Sequence, residues 1–105
     1  MTGTVEKVIR RRVVVSGDVQ GVFFRDTCRR IATEHRVRGW VRNLPDGSVE
    51  AVFEGDPGGV GTLVAWAHSG PRTAIVDEVR VFDEPPEGVG SFEIRPTPIT
   101  PIPPI

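Results

Sequence analysis

The sequence predicts an α+β fold, with two helices on one face of an antiparallel sheet, in the order β-α-β-β-α-β plus a short edge strand. Three observations predict it. Residues 9–17 alternate with period two, placing Ile9, Arg11, Val13 and Val15 on one face. Phe24, Cys28, Ile31, Ala32 and His35 then recur at helical spacing. Leu44, Pro45, Asp46 and Gly47 form a tight-turn signal between two strand-like runs, proline presetting one dihedral and glycine permitting a left-handed one.

The remaining elements follow in chain order. In the first helix, Arg25, Asp26, Arg29, Arg30 and Glu34 take the polar side. Asp26/Arg30 and Arg30/Glu34 are opposite-charge pairs four residues apart, which support the helix modestly. Cys28 falls on the apolar stripe and reads as a small core residue, not a nucleophile. Val37 and Val41 carry a second strand that ends at Asn43. Ser48–Glu54 completes a hairpin, with Val49, Ala51 and Phe53 opposing Glu50 and Glu54. Asp56 and Pro57 open a second helix as N-cap and first helical residue. Val60, Leu63, Val64 and Ala67 form its stripe, and Gly70-Pro71 stops it. Glycines at 58, 59 and 61 weaken its first turn. Ile75–Phe82 is a fourth strand and Ser91–Ile94 a short fifth. This order is the ferredoxin-like split β-α-β sandwich. From Pro96 to Ile105, prolines remove ladder donors, so an extended, polyproline-like tail is expected.

Composition bounds the class. At 105 residues the chain makes one domain with a real core, and 38% hydrophobic and 26% charged residues are ordinary for a soluble protein. Cys28 is the only cysteine, which excludes an internal disulfide and a cysteine-rich metal site and fits a reducing compartment. Arginines 10–12 precede only three valines, where a signal sequence needs roughly 7–15 apolar residues, and no stretch reaches membrane-spanning length. A cytoplasmic location is expected. The net charge of −1 hides an asymmetry: residues 1–42 carry +6 and the rest −7. A positive half suits a small anionic substrate; a plain solubilising basic face accounts for most of those arginines.

Gly17 to Arg25 reads as a pocket for a phosphate group. Gly17 and Gly21 let the chain curl between the first strand and the first helix, so that successive N–H groups form an anion-binding concavity. The loop comprises Asp18, Val19, Gln20, Gly21, Val22, Phe23 and Phe24. The positive end of the helix strengthens it, and Arg25 adds a planar, permanently charged fork. The alternative is an ordinary strand-to-helix turn with a solvated arginine.

Topology brings a second residue to the same place. Strands joined through a helix run in the same direction, so the loop after the first strand and Asn43 at the end of the second share one sheet edge. The hairpin strand lies between them, which sets a separation of about two strand spacings, ~9–10 Å. That gap accommodates a phosphoryl group and one water. The Asn43 amide, both donor and acceptor, either orients that water or bonds its own backbone as a turn residue.

At this point the chain resembles the acylphosphatases, small hydrolases of carboxyl-phosphate anhydrides. Val15-Ser16-Gly17-Asp18-Val19-Gln20-Gly21-Val22-Phe23-Phe24-Arg25 matches the family's pattern of apolar residue, glycine, Val-Gln-Gly and arginine. Gly39-Trp40-Val41-Arg42-Asn43 with Leu44 to Val49, and Gly55 six residues later, matches the second signature. The likeness runs from about residue 9 to 95 and includes Gly70-Pro71 and the pair Phe92/Ile94. The resemblance implies that Arg25 binds and stabilises the phosphate, that the 18–24 backbone cradles it, and that Asn43 positions the attacking water. The departures are an N-terminal extension (residues 1–8), the proline-rich tail (96–105), and Asp18, whose charge is expected to face solvent.

The chemistry narrows independently. Phosphoryl transfer passes through a loose transition state, so positioning and charge stabilisation do most of the catalysis. Neither His35 nor His68 belongs near that edge, so no general acid is in view. An acyl phosphate leaves as a carboxylate of pKa ~4 and needs none at neutral pH. No cluster of carboxylates or histidines suggests a metal, so metal-free hydrolysis by direct water attack is expected, with no cofactor. The partner is a small acyl phosphate, with no nucleic acid or membrane, and the chain is expected to be a monomer. A non-catalytic phosphate-sensing domain and an RNA-binding module of the same topology are the rivals; the second fits poorly, since there is no tyrosine and the net charge is negative. The acylphosphatase-like domain of larger carbamoyl-transfer and hydrogenase-maturation proteins is a third, against which the short length counts.

Overall fold

Seven elements follow the expected order: β1 Ile9–Asp18, α1 Phe24–Glu34, β2 Arg38–Asn43, β3 Val49–Gly55, α2 Pro57–Ala67, β4 Ile75–Glu84 and β5 Phe92–Ile94. The structure, a computed structural model, describes residues 7–99. Of the proline-rich tail, residues 96–99 have no regular structure and 100–105 lie outside the described residues, as do residues 1–6 of the N-terminal extension.

The sheet has the order β4-β1-β3-β2-β5, so the hairpin strand β3 separates β1 from β2. Its four long strands pair antiparallel. The sheet departs from the expected antiparallel pattern only at one edge, where β5 runs parallel to β2, Gly39 facing Phe92 and Val41 facing Ile94. Val13, Val15, Phe53, Phe24, Cys28 and Leu63 join in one buried cluster between the sheet and both helices. His35, placed on the apolar stripe by spacing, is instead the exposed C-cap of α1. The start of α2 is better defined than its glycines imply, because the Asp56 carboxylate accepts from Gly59 N at 3.1 Å.

Glu50 and Glu54 alternate with apolar residues, yet both are buried, Glu54 completely. β3 is the centre of the sheet, and its outer face is covered by a network of ion pairs. Arg42 reaches Glu50 at 2.7 Å, Arg12 bridges Glu50 (3.4 Å) and Glu84 (3.0 Å), and Arg10 meets Glu54 at 3.3 Å and Glu84 at 3.1 Å. Basic residues from the first 42 are thus matched across the sheet by acidic residues from the rest. Arg10, Arg11, Arg12 and Arg42 close part of the asymmetry within the fold, while other arginines of the first 42 residues make no such pair among the described residues.

Glu54 also explains how β5 is reached. After Glu84 the chain crosses the end of the sheet past β1 and β3 to the far side of β2. There the Glu54 carboxylate accepts from the N–H groups of Glu87 (2.8 Å), Gly88 (2.8 Å) and Val89 (3.2 Å). Burial alone pushes this carboxyl up. The amides of Glu87 and Gly88, the Arg10 guanidinium and the Val89 amide outweigh it, so the group lies below its ordinary value.

Candidate active site

The loop between β1 and α1 is built by two glycines with different reasons. β1 carries an irregularity between Ser16 and Gly17, and a Cβ on Gly17 would strike the Ile75 carbonyl oxygen of β4. Gly17 is therefore needed for close approach of two backbones. Gly21 has open space around it but a φ of 73°, a left-handed conformation that only glycine adopts without strain. Between them Val19 is 1% exposed and pins the loop to the core. Asp18 is exposed and lies off the cavity wall.

α1 begins without a side-chain cap: its N-cap residue is Phe23, which makes no capping hydrogen bond. The first N–H groups of the helix therefore keep their donors for something else, at the end where the helix dipole is positive. The first helical residues, Phe24, Arg25 and Asp26, line a cavity of about 320 Å³ whose wall also includes Val19, Gly21 and Asn43. Arg25 makes no ion pair among the described residues.

Asn43 closes β2, paired with Val49 across the hairpin. Its Oδ1 is the one buried side-chain oxygen or nitrogen among the described residues that has no hydrogen-bond partner. The turn that follows does not use it. Asp46 Oδ1 takes that part, accepting from Ser48 N at 3.0 Å and Ser48 Oγ at 2.6 Å. These bonds hold the Asp46 carboxyl below its ordinary value, the Ser48 hydroxyl contributing most. A buried acceptor without a partner is costly unless a ligand or water completes it. The alternative of a backbone-bonding turn asparagine is therefore set aside.

The two halves of the site are joined by Gln20. Its side-chain Nε2 donates to the carbonyls of Leu44 (2.8 Å) and Ser48 (2.9 Å), so it braces the turn beside Asn43 and is not turned to the cavity. Val22 likewise lies outside the wall; its carbonyl accepts from the Thr73 hydroxyl. Two lining residues, Asp26 and Ile94, were not placed at the site by the sequence. Asp26 follows Arg25 directly and could have been found from that. Ile94 arrives only through the β2–β5 pairing, which has no local signal. Cys28 is fully buried, and burial pushes its thiol up, which leaves it unreactive.

The family model described as acylphosphatase matches residues 11–94. An acylphosphatase of Rubrobacter xylanophilus is 59% identical over 87 residues, covering 82% of this chain and 79% of that one. One from Gloeobacter violaceus is 52% identical over 86 residues, covering 82% and 92%. Among solved structures, an acylphosphatase from Coxiella burnetii superposes with a TM-score of 0.80 at 39% identity, covering 84% of this chain and 93% of that one.

Proposed function

The chain belongs to the acylphosphatase family and hydrolyses acyl phosphates to a carboxylate and inorganic phosphate, and from that premise we propose how its own residues divide the work. The phosphate sits against the uncapped start of α1, held by the backbone amides of the loop residues on the cavity wall, Val19, Gly21, Phe23 and Phe24, and by the Arg25 guanidinium. Both stabilise the charge on its equatorial oxygens as the bond to the acyl oxygen lengthens. Asn43 Oδ1 accepts a hydrogen bond from the attacking water and aims its oxygen at phosphorus. The water–phosphorus bond forms, the phosphorus–acyl oxygen bond breaks, and the water's proton passes to a phosphate oxygen. The carboxylate departs unprotonated, so the exposed His35 and His68, which do not line the cavity, are not needed. Arg25 and the amides supply the charge stabilisation themselves, so no step calls on a metal.

One observation carries this reading: Asn43 lines the same cavity as Arg25, and its Oδ1 is buried without a hydrogen-bond partner. A domain that only sensed a phosphorylated ligand would have no use for that acceptor. Residues 9–95 carry the activity as a cytoplasmic monomer, with 1–8 and 96–105 as appendages. Among the described residues no helix is long and apolar enough to cross a membrane. Nucleic acid is not a partner in this reading, because Trp40 on the open sheet face is buried and its ring, like that of the exposed Phe82, is already engaged by arginines. Arg42 and Arg95 lie 4.7 and 5.0 Å from the Trp40 ring, and Arg12 lies 4.4 Å from Phe82. A turnover assay with benzoyl phosphate, using phosphoserine as control, tests the function. Release of phosphate from the first alone supports it; binding without turnover contradicts it.

A further inference from the structure

Phe23 lines two spaces at once. One is the phosphate cavity; the other is a larger groove of about 450 Å³ between α1, α2 and the 70–73 loop. Ile31, Trp66 and Pro71 give this groove an apolar lining, and Arg30 and Arg72 add two guanidinium groups. None of these residues has a part in holding phosphate or aiming water.

Phe23 is conspicuous in two ways. Its backbone is left-handed, at φ 64° and ψ 23°, a conformation unfavourable for a residue with a Cβ. The residue is 71% exposed, so the strain is not offset by burial. Backbone strain of this kind concentrates at sites of ligand contact. The surroundings hold the segment there. Thr73 bonds the Val22 carbonyl, and the Trp66 ring lies 4.9 Å from that of Phe24.

We propose that this groove is the acyl-group subsite, and that it takes acyl phosphates with an extended or aromatic acyl group ending in a second anion such as a carboxylate. The inference rests on the hydrolase reading, because the acyl group is covalently tied to the phosphate held by Arg25. A group so tethered meets the neighbouring groove at a high effective concentration. Phe23, the shared wall, supplies an aromatic face to the first part of that group. The charge of the groove sets its far end. Arg30 is shared with Glu34 at 3.3 Å, whereas Arg72 has no ion pair among the described residues. A neutral apolar chain would leave the Arg72 charge unused; a distal carboxylate pairs with it.

The test compares acetyl, benzoyl and 4-carboxybenzoyl phosphate as substrates of the wild type, Arg72→Ala, Arg72→Glu and Phe23→Ala. The readout is the ratio of kcat/KM between two substrates within one protein, in which a general loss of active enzyme cancels. Arg72→Ala should lower the 4-carboxybenzoyl-to-benzoyl ratio about threefold, through KM, as for an exposed charge pair, and Arg72→Glu should lower it further. Phe23→Ala should lower the benzoyl-to-acetyl ratio by roughly threefold or more, the scale of one aromatic contact. If either ratio is unchanged in Arg72→Glu or in Phe23→Ala respectively, while all three substrates are still hydrolysed, the subsite is overturned and the hydrolase reading stands. If the wild type hydrolyses none of them, the hydrolase reading falls, and the subsite with it.

Discussion

Gln20 Nε2 lies 2.8 Å from the Leu44 carbonyl oxygen, so the loop that ends β1 is bonded to the residue next to Asn43. The two halves of the site come from strands that do not touch, since β3 lies between them. This bond, with its companion to Ser48, fixes their spacing directly and not only through the sheet.

Gln20 is accordingly a positioning residue. Gln20→Ala should cost about 1–2 kcal/mol of stability, since two hydrogen bonds are lost, although the Leu44 and Ser48 carbonyls each keep a backbone donor within the turn. It should also lower kcat on benzoyl phosphate by roughly tenfold, because about an ångström of misplacement at a reacting centre is worth one to two orders of magnitude. KM should change less, as the amide cradle and Arg25 remain. Gln20→Glu, which cannot donate, should behave similarly. A wild-type kcat in both variants would show that the brace does not position Asn43.

Arg25 is the cationic side chain on the cavity wall. Arg25→Ala should reduce kcat/KM for benzoyl phosphate by roughly 10²–10³ or more, the scale of losing a preorganised donor to developing charge. Arg25→Lys keeps the charge but loses the planar fork, so it should recover only part of the rate. Full activity in Arg25→Lys would mean that charge alone suffices.

Much of this was legible because the decisive signals are local. The alternation of β1, the stripe of α1, the Leu44–Gly47 turn and the Asp56-Pro57 start of α2 each specify an element within about ten residues. The meeting of Arg25 and Asn43 follows from topology alone. What was not legible depends on distant pairing. The burial of Glu50 and Glu54 requires knowing which arginines stand across from them in β1 and β2. The parallel placement of β5, and hence the presence of Ile94 in the cavity, depends on a loop held by Glu54. Gln20 sits inside a recognised motif, but its side-chain bonds run to residues 24 and 28 positions away.

The buried Glu54 makes stability depend on pH. Its carboxyl is held below the ordinary value, so the stabilisation is fully present above the unfolded-state value of ~4.3 and is lost as pH falls through the folded one. Glu54→Gln should lose about 3 kcal/mol at pH 7, the scale of breaking a buried ion pair. Denaturant unfolding between pH 7 and pH 3 should then show a shallower acid dependence in the variant than in the wild type. Equal slopes would mean that Glu54 does not carry the linkage.

The central claim is a division of labour, with the loop and Arg25 binding the phosphate and Asn43 acting on the water. It is tested most directly in Asn43→Ala, by measuring benzoyl phosphate turnover and the Kd for inorganic phosphate in the same preparation. The account predicts a fall in kcat of roughly 10²-fold or more with phosphate Kd nearly unchanged, as when an interaction made mainly in the chemical step is removed. A kcat that survives, or a loss of phosphate binding as large as the loss of turnover, would contradict it.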